Sequence, residues 1–188
     1  MIIKLKDICK ISTGVYVKTD RVGDVYYLQA RDFNSYNQLE DDLKPEVLGG
    51  NINKKHFLKS GDVIVAAKGV NHFVFTYNKE VTPAVASSMF IVLREFNKEK
   101  VDSGFVTWYI NHPKTQRYLD RSSKGSGIPS INKSIVGDLE INLPSIDKQR
   151  LILSTDKLKI KANQLQEKIA VLKNEVLNEQ LIQLVKEK

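Results

Sequence analysis

Side chains that could catalyse a reaction or bind a metal are few in this sequence and are not grouped. The three histidines, His56, His72 and His112, do not lie at metal-site spacing from one another or from Cys9. The segment Gly125-Ser126-Gly127 lacks the Lys-Ser/Thr ending of a phosphate-binding loop, and the scattered carboxylates form no compact nuclease pattern. We therefore predict a non-enzymatic chain with no catalytic residue, no metal site and no cofactor of its own.

The charge of the chain favours a polyanionic partner. Its 29 Lys and Arg residues outnumber its 22 Asp and Glu residues, which gives a net charge of +7. Such a surface suits DNA, RNA or an anionic membrane. The single cysteine excludes an internal disulfide and fits a reducing cytoplasm. The N-terminus lacks a signal-peptide pattern, and no stretch approaches the roughly 20 apolar residues of a membrane span.

The elements that would position a binding surface lie in residues 1–144. The sequence patterns of this region predict an α+β fold. A short helix is expected over 4–11, a long loop over 34–56, and further helices from Ser103, as a helix cap, and from Pro113 in a first turn. Apolar runs and alternating patterns predict strands at 25–28, 63–67, 73–77, 88–93 and 139–143. The first 144 residues thus predict a globular mixed α/β domain.

Residues 145–188 contain no glycine or proline and predict one long helix, with Ser145 as its cap. Leucine recurs every seven residues from Leu151 to Leu172, and the second core position of the heptad, four residues after each leucine, holds Thr155, Ala162, Ile169 and Val176, as in a coiled coil. A helix of about 40 residues is about 60 Å long, too long to bury this stripe against its own domain. We therefore expect a partner helix from another chain, because a hairpin within this chain would need a turn signal. The predicted dimerisation residues are Leu151, Leu158, Leu165, Ile169, Leu172 and Val176.

Four segments together resemble the specificity subunits of type I restriction-modification systems. In chain order they match the opening helix and turn of a target-recognition domain, a Leu-x-x-Gly-Asp-Ile strand, a closing loop and strand, and the Pro-x-x-x-Glu-Gln-x-x-Ile entry to a spacer helix. Lys148 stands where the family has Glu. The segments are LKDICKISTG (5–14), LKSGDVIV (58–65), GSGIPSI (125–131) with LEINLP (139–144), and IDKQRLI (146–152).

This resemblance implies a target-recognition domain over 1–144 and a spacer and dimerisation helix over 145–188. Family members hold two such units joined by an antiparallel coiled coil, so this chain resembles a half-length form that acts as a homodimer on a gapped inverted repeat. Members perform no chemistry. They position methyltransferase subunits that use S-adenosylmethionine and a restriction subunit that uses ATP and Mg²⁺. A helix of about 60 Å would span roughly 18 base pairs.

The residues expected to touch DNA lie on loops and carry groups that bind phosphates or base edges. Lys68 is favoured, because Gly69 after it removes side-chain bulk beside the backbone. Arg31 has the alternative of a surface ion pair with Asp32. The complete predicted set is Tyr16, Lys18, Gln29, Arg31, Lys68, Asn71, His72, Lys124 and Ser126.

Three alternatives remain open at this stage. A coiled-coil adaptor without DNA specificity would show no salt-dependent affinity for DNA. A small standalone nuclease or defence effector would cleave nucleic acid alone with a metal. A truncated or silent recombination cassette would never assemble with a methyltransferase.

Overall fold

The computed structural model describes residues 1–20, 22–34, 37–40, 42–69, 72–78, 81–123 and 129–186. The chain divides into two units, Met1–Gln149 and Arg150–Lys188. The predicted α+β class is confirmed, with mixed strands and helices followed by one long helix. The strands and helices are β1 (Ile2–Lys4), β2 (Lys10–Thr13), β3 (Tyr26–Leu28), β4 (Asp62–Ala66), β5 (Val74–Tyr77), β6 (Ala84–Ala86), β7 (Phe90–Arg94), α1 (Ser103–Asn111), α2 (Pro113–Ser122), α3 (Lys133–Gly137), β8 (Glu140–Asn142) and α4 (Ile146–Lys186).

A four-stranded antiparallel sheet of order β2-β7-β4-β5 forms the core of the first unit. Every residue of β4 is buried, as are the first four residues of β7, which explains why both read as continuous apolar runs. Helix α1 packs on β5 and β4 through Phe105, Val106 and Ile110. Two smaller sheets, antiparallel β1-β8 and parallel β3-β6, complete the strand pairing among the described residues.

The helix predicted over 4–11 is wrong. The chain makes one 3₁₀ turn at Leu5–Asp7 and then enters β2, which pairs with β7. Leu5, Ile8 and Cys9 have a helical spacing, but so short a segment can equally form a turn. The edge of β7 that β4 leaves free supplies backbone hydrogen-bond partners for β2, which a helix could not use. The short elements β1, β6 and α3 were not predicted. Helix α1 is capped by Asp102, whose side chain accepts from the Gly104 N–H, and not by Ser103.

Helix α4 begins directly after Ser145, whose carbonyl accepts from the Gln149 N–H at 3.0 Å, as expected of the residue before a helix. It continues unbroken for 41 residues, or about 60 Å. In the part of the chain that the structure describes, no helix combines the length and apolar character needed to cross a membrane.

Candidate nucleic-acid interface

Four chain segments that are distant in sequence lie side by side at one end of the central sheet. The Val15 N–H donates to Ala86 O at 2.9 Å, and the Gly14 N–H donates to Phe90 O at 2.9 Å. On the other side, the Ala67 N–H donates to Met89 O at 2.8 Å. Ala67 and Gly69 are in turn hydrogen-bonded to Ile131 and Pro129. We call this surface the loop platform: Gly14–Lys18, Ala67–Gly69, Ser87–Met89 and Pro129–Ile131.

Gly14 permits the closest approach within the loop platform. A Cβ atom at this position would lie 2.1 Å from Ser87 O and 2.4 Å from Ala86 O, both backbone atoms that cannot swing away. Glycine is therefore required by backbone proximity. Thr13 ends β2, and Gly14 lets the next segment lie against the β6–β7 turn.

Two predicted DNA contacts, Tyr16 and Lys18, extend into solvent from the first segment of the loop platform. Tyr16 is 85% exposed, and Lys18 is exposed as well. The Tyr27 hydroxyl holds this segment from beneath, because it donates to Val15 O at 3.0 Å and accepts from the Val17 N–H at 3.4 Å. Burial raises the pKa of Tyr27, which keeps the phenol protonated and able to donate.

Lys68 also lies exposed on the loop platform, where it forms an isolated antiparallel bridge with Ser130. The reason given for Gly69 needs correction. A Cβ at Gly69 would meet no atom of the described residues within 4 Å, so those residues do not require glycine there for space. Its φ of +119° is the cause, since side-chain-bearing residues rarely adopt that conformation.

His72 belongs to the core and is not available to DNA in this structure. It is 1% exposed, and its Nδ1 lies 3.0 Å from Ala66 O. The Gln116 side chain donates to His72 O at 3.0 Å and to Ile110 O at 2.8 Å. The prediction of a DNA contact at His72 is therefore wrong; the residue supports the end of β4, from which Lys68 follows.

Gln29 and Arg31 converge on one carboxylate, Glu46. Arg31 Nη2 lies 3.0 Å from both Glu46 oxygens, and Gln29 Nε2 donates to Glu46 Oε1 at 3.0 Å. Arg31 Nε also lies 3.6 Å from Asp32, the ion pair considered from sequence. Arg31, Asp32 and Glu46 line a groove of about 850 Å³ that also contains Asp20 and Asp42. These pairings offset the charge that Arg31 would offer to a phosphate.

The remaining predicted contacts, Asn71, Lys124 and Ser126, lie outside the described residues. Sequence reasoning did not select Ser88 and Met89, the exposed residues of the β6–β7 turn. Segment 88–93 was predicted as strand from its β-forming residues, whereas β7 begins only at Phe90. The Ser88-Met89 pair offered no turn signal of the glycine or proline kind.

Two motif residues hold the framework together and do not face a ligand. Asp62, which follows Gly61, is buried and pairs with Arg94 Nη2 at 2.8 Å across β4 and β7, and it accepts from the Lys59 N–H at 2.9 Å. Burial raises the pKa of Asp62. Gln149 is fully buried: its Oε1 accepts from the Asp102 N–H, and its Nε2 donates to Lys100 O and Pro144 O.

Helix α4 carries apolar side chains on two opposite faces. At about 100° per residue, the predicted heptad residues from Leu151 to Val176 fall on one face, and their exposures lie between 49% and 69%. Ile160, Val171 and Ile182 recur every eleven residues on the opposite face and are also exposed. The described helix therefore presents two apolar stripes to solvent.

Several solved structures share the fold of this chain. The HsdS subunit from Thermoanaerobacter tengcongensis superimposes with a TM-score of 0.65 at 19% identity, covering 89% of this chain and 44% of that one. The type I restriction-modification S subunit from M. genitalium gives a TM-score of 0.60 at 13% identity, covering 84% and 38%. A chain from a study of complex assembly and conformational transition of the type I R-M system gives 0.58 at 16%, covering 88% and 39%. This chain thus spans less than half the length of these structures.

The family model of the type I restriction modification DNA specificity domain matches residues 1–184. The chain belongs to this family, as the four sequence segments indicated. No curated protein is significantly similar to it in sequence.

Proposed function

We propose that this chain is a non-catalytic DNA-specificity subunit of a type I restriction-modification system. Its first unit reads one half of a bipartite DNA site, and its helix pairs with a second copy to supply the other half. The observation that carries the proposal is the family match over residues 1–184, which includes both the recognition domain and α4. The loop platform offers exposed polar, basic and apolar groups of the kinds that contact DNA.

Pairing through α4 rests on the heptad face. Four leucines of this face, Leu151, Leu158, Leu165 and Leu172, are between 49% and 69% exposed, and burying the remaining surface of each would contribute roughly 1–2 kcal/mol. Two identical chains related by a two-fold axis would read an inverted repeat with a gap. The opposite stripe, Ile160 to Ile182, leaves a separate face for a further protein, which suits the methyltransferase and restriction subunits.

The chemistry would belong to these partners in the cytoplasm. The methyltransferase would use S-adenosylmethionine, and the restriction subunit would use ATP and Mg²⁺. This chain would determine which DNA sequence is bound and the spacing between the two half-sites.

Co-expression with a methyltransferase subunit encoded beside this chain tests the proposal. Purified complexes should methylate a random DNA library within a gapped inverted repeat, and the motif should vanish when this chain is omitted. Methylation that proceeds without the chain, or the absence of any complex, would refute the proposal. The absence of salt-dependent affinity for DNA would point to a coiled-coil adaptor instead.

A further inference from the structure

We propose that the β6–β7 turn is a base-reading element, in which Met89 contacts a thymine methyl group in the major groove. Tyr16 adds a second apolar contact from the neighbouring segment, and Lys68 contacts a phosphate. This inference rests on the proposed DNA-reading function and assigns its residues within this chain.

The turn is short and firmly held. The Phe90 N–H donates to Ser87 O at 3.0 Å, so Ser88 and Met89 are the two central residues of a β-turn. Ala86 and Phe90 on either side are buried, at 1% and 0% exposure. The Met89 N–H also donates to Ser87 Oγ at 3.4 Å. The two central side chains are thereby presented to solvent from a turn anchored at both ends in the core.

Hydrogen bonds on both sides fix the turn within the loop platform. Gly14 and Val15 donate to Phe90 and Ala86 on one side, and Ala67 donates to Met89 on the other. A contact made from such a position loses little conformational entropy on binding, because the backbone is already ordered. Tyr16 and Lys68 occupy the segments on either side of the turn.

The chemistry of the exposed groups matches a DNA groove. Met89 is 39% exposed and Tyr16 is 85% exposed, which leaves two large apolar surfaces in water. A thioether chain is flexible and polarisable and fits a methyl group, and apolar contact is how the major groove distinguishes thymine. Ser88 adds a hydroxyl that can donate to or accept from a base edge.

The charge of the loop platform favours DNA as its ligand. The charged side chains among the described residues of the loop platform are Lys18 and Lys68, and none of those residues is Asp or Glu. The groove at Arg31 is the opposite case, since its four carboxylates outnumber its two cations, Arg31 and Lys44. The carboxylates are those of Asp20, Asp32, Asp42 and Glu46. A phosphate backbone is therefore attracted to the loop platform and repelled by the carboxylates of that groove.

The test separates base reading from phosphate binding in the complex of this chain with its methyltransferase. After the wild-type motif is established, Met89→Ala should lower affinity for that motif roughly ten-fold and relax the preference at an A·T pair, with an unchanged salt slope. Lys68→Ala should weaken binding to all sequences alike and reduce the salt slope by about two, one for each of the two copies on the DNA. Leu48→Ala removes an exposed apolar side chain outside the loop platform and should change neither property.

A probe with uracil in place of the thymine tests the methyl contact directly. Wild-type complex should bind this probe more weakly than the thymine probe, whereas the Met89→Ala complex should bind both equally. Met89→Leu, which keeps an apolar side chain, should retain the preference. Thermal melting verifies that each variant is folded.

The results distinguish the two proposals. If wild-type complex methylates a defined motif and the Met89→Ala and Tyr16→Ala complexes methylate it equally well, the base-reading assignment is overturned and the proposed function stands. A motif without an A·T pair also overturns the thymine contact. If the wild-type complex shows no sequence preference, the proposed function itself fails.

Discussion

Replacing Gln149 by Ala tests how the first turn of α4 is held within the first unit. The side chain is fully buried and makes three hydrogen bonds, to the Asp102 N–H at 2.9 Å, Lys100 O at 2.8 Å and Pro144 O at 2.9 Å. Each hydrogen bond contributes about 1 kcal/mol net, and a buried N–H left without a partner costs about 1–3 kcal/mol. We expect Gln149→Ala to lower the free energy of unfolding by about 3–4 kcal/mol.

Urea denaturation of the purified chain, followed by circular dichroism and tryptophan fluorescence, measures this loss. Gln164→Ala is the matched control, because Gln164 lies on the same helix and is exposed. It should change stability by less than about 0.5 kcal/mol. Gln149→Glu retains the acceptor for Asp102 but places a carboxylate against two carbonyl oxygens, so it should be no more stable than Gln149→Ala. Equal stability of Gln149→Ala and Gln164→Ala would refute the anchoring role.

Three further perturbations test other parts of the structure. Asp62→Ala leaves the largely buried Arg94 without its carboxylate partner and should cost about 3 kcal/mol in urea denaturation. The double substitution Asp62→Ala/Arg94→Met should recover part of this loss; no recovery would contradict the ion-pair explanation. Burial raises the pKa of Cys9 to about 12, so iodoacetamide at pH 8 should label the folded chain far more slowly than the urea-unfolded chain. The folded state holds the Cys9 proton more tightly than the unfolded state does, so the resulting stabilisation of the fold is complete below pH 9 and is lost above it. The free energy of unfolding should fall by about 1.4 kcal/mol by pH 10, and Cys9→Ala should lack that decline. Leu165→Lys should abolish dimers in sedimentation analysis, whereas Ile160→Lys, on the opposite face of α4, should leave them intact; equal effects would refute pairing through the heptad face.

The residues that carry the family resemblance are mostly structural. Gly14 permits close backbone approach, Asp62 pairs with Arg94 in the core, and Gln149 binds three backbone groups. Lys148, the departure from the family motif, is exposed on the first turn of α4. Such residues are recognisable in sequence because the framework needs them at these positions.

The periodic patterns in the sequence predicted those strands and helices whose apolar spacing is regular over neighbouring residues. Continuous apolar runs predicted β4 and β7, because strands buried on both faces contain little else. The seven-residue repeat and the lack of glycine and proline predicted α4, because helix formation depends on neighbours within a few residues. The family itself followed from four short segments in a fixed order.

Only the tertiary structure determined which loop residues share a surface. Lys68 lies 52 residues after Tyr16, and Met89 lies 21 residues after Lys68. Hydrogen bonds between their segments bring the three residues together, and no local sequence pattern predicts those bonds. Long-range packing likewise placed His72 in the core and bound Arg31 to Glu46. Side-chain type alone indicates what a residue can contact, but burial and pairing, which depend on distant parts of the chain, determine whether it is free to do so.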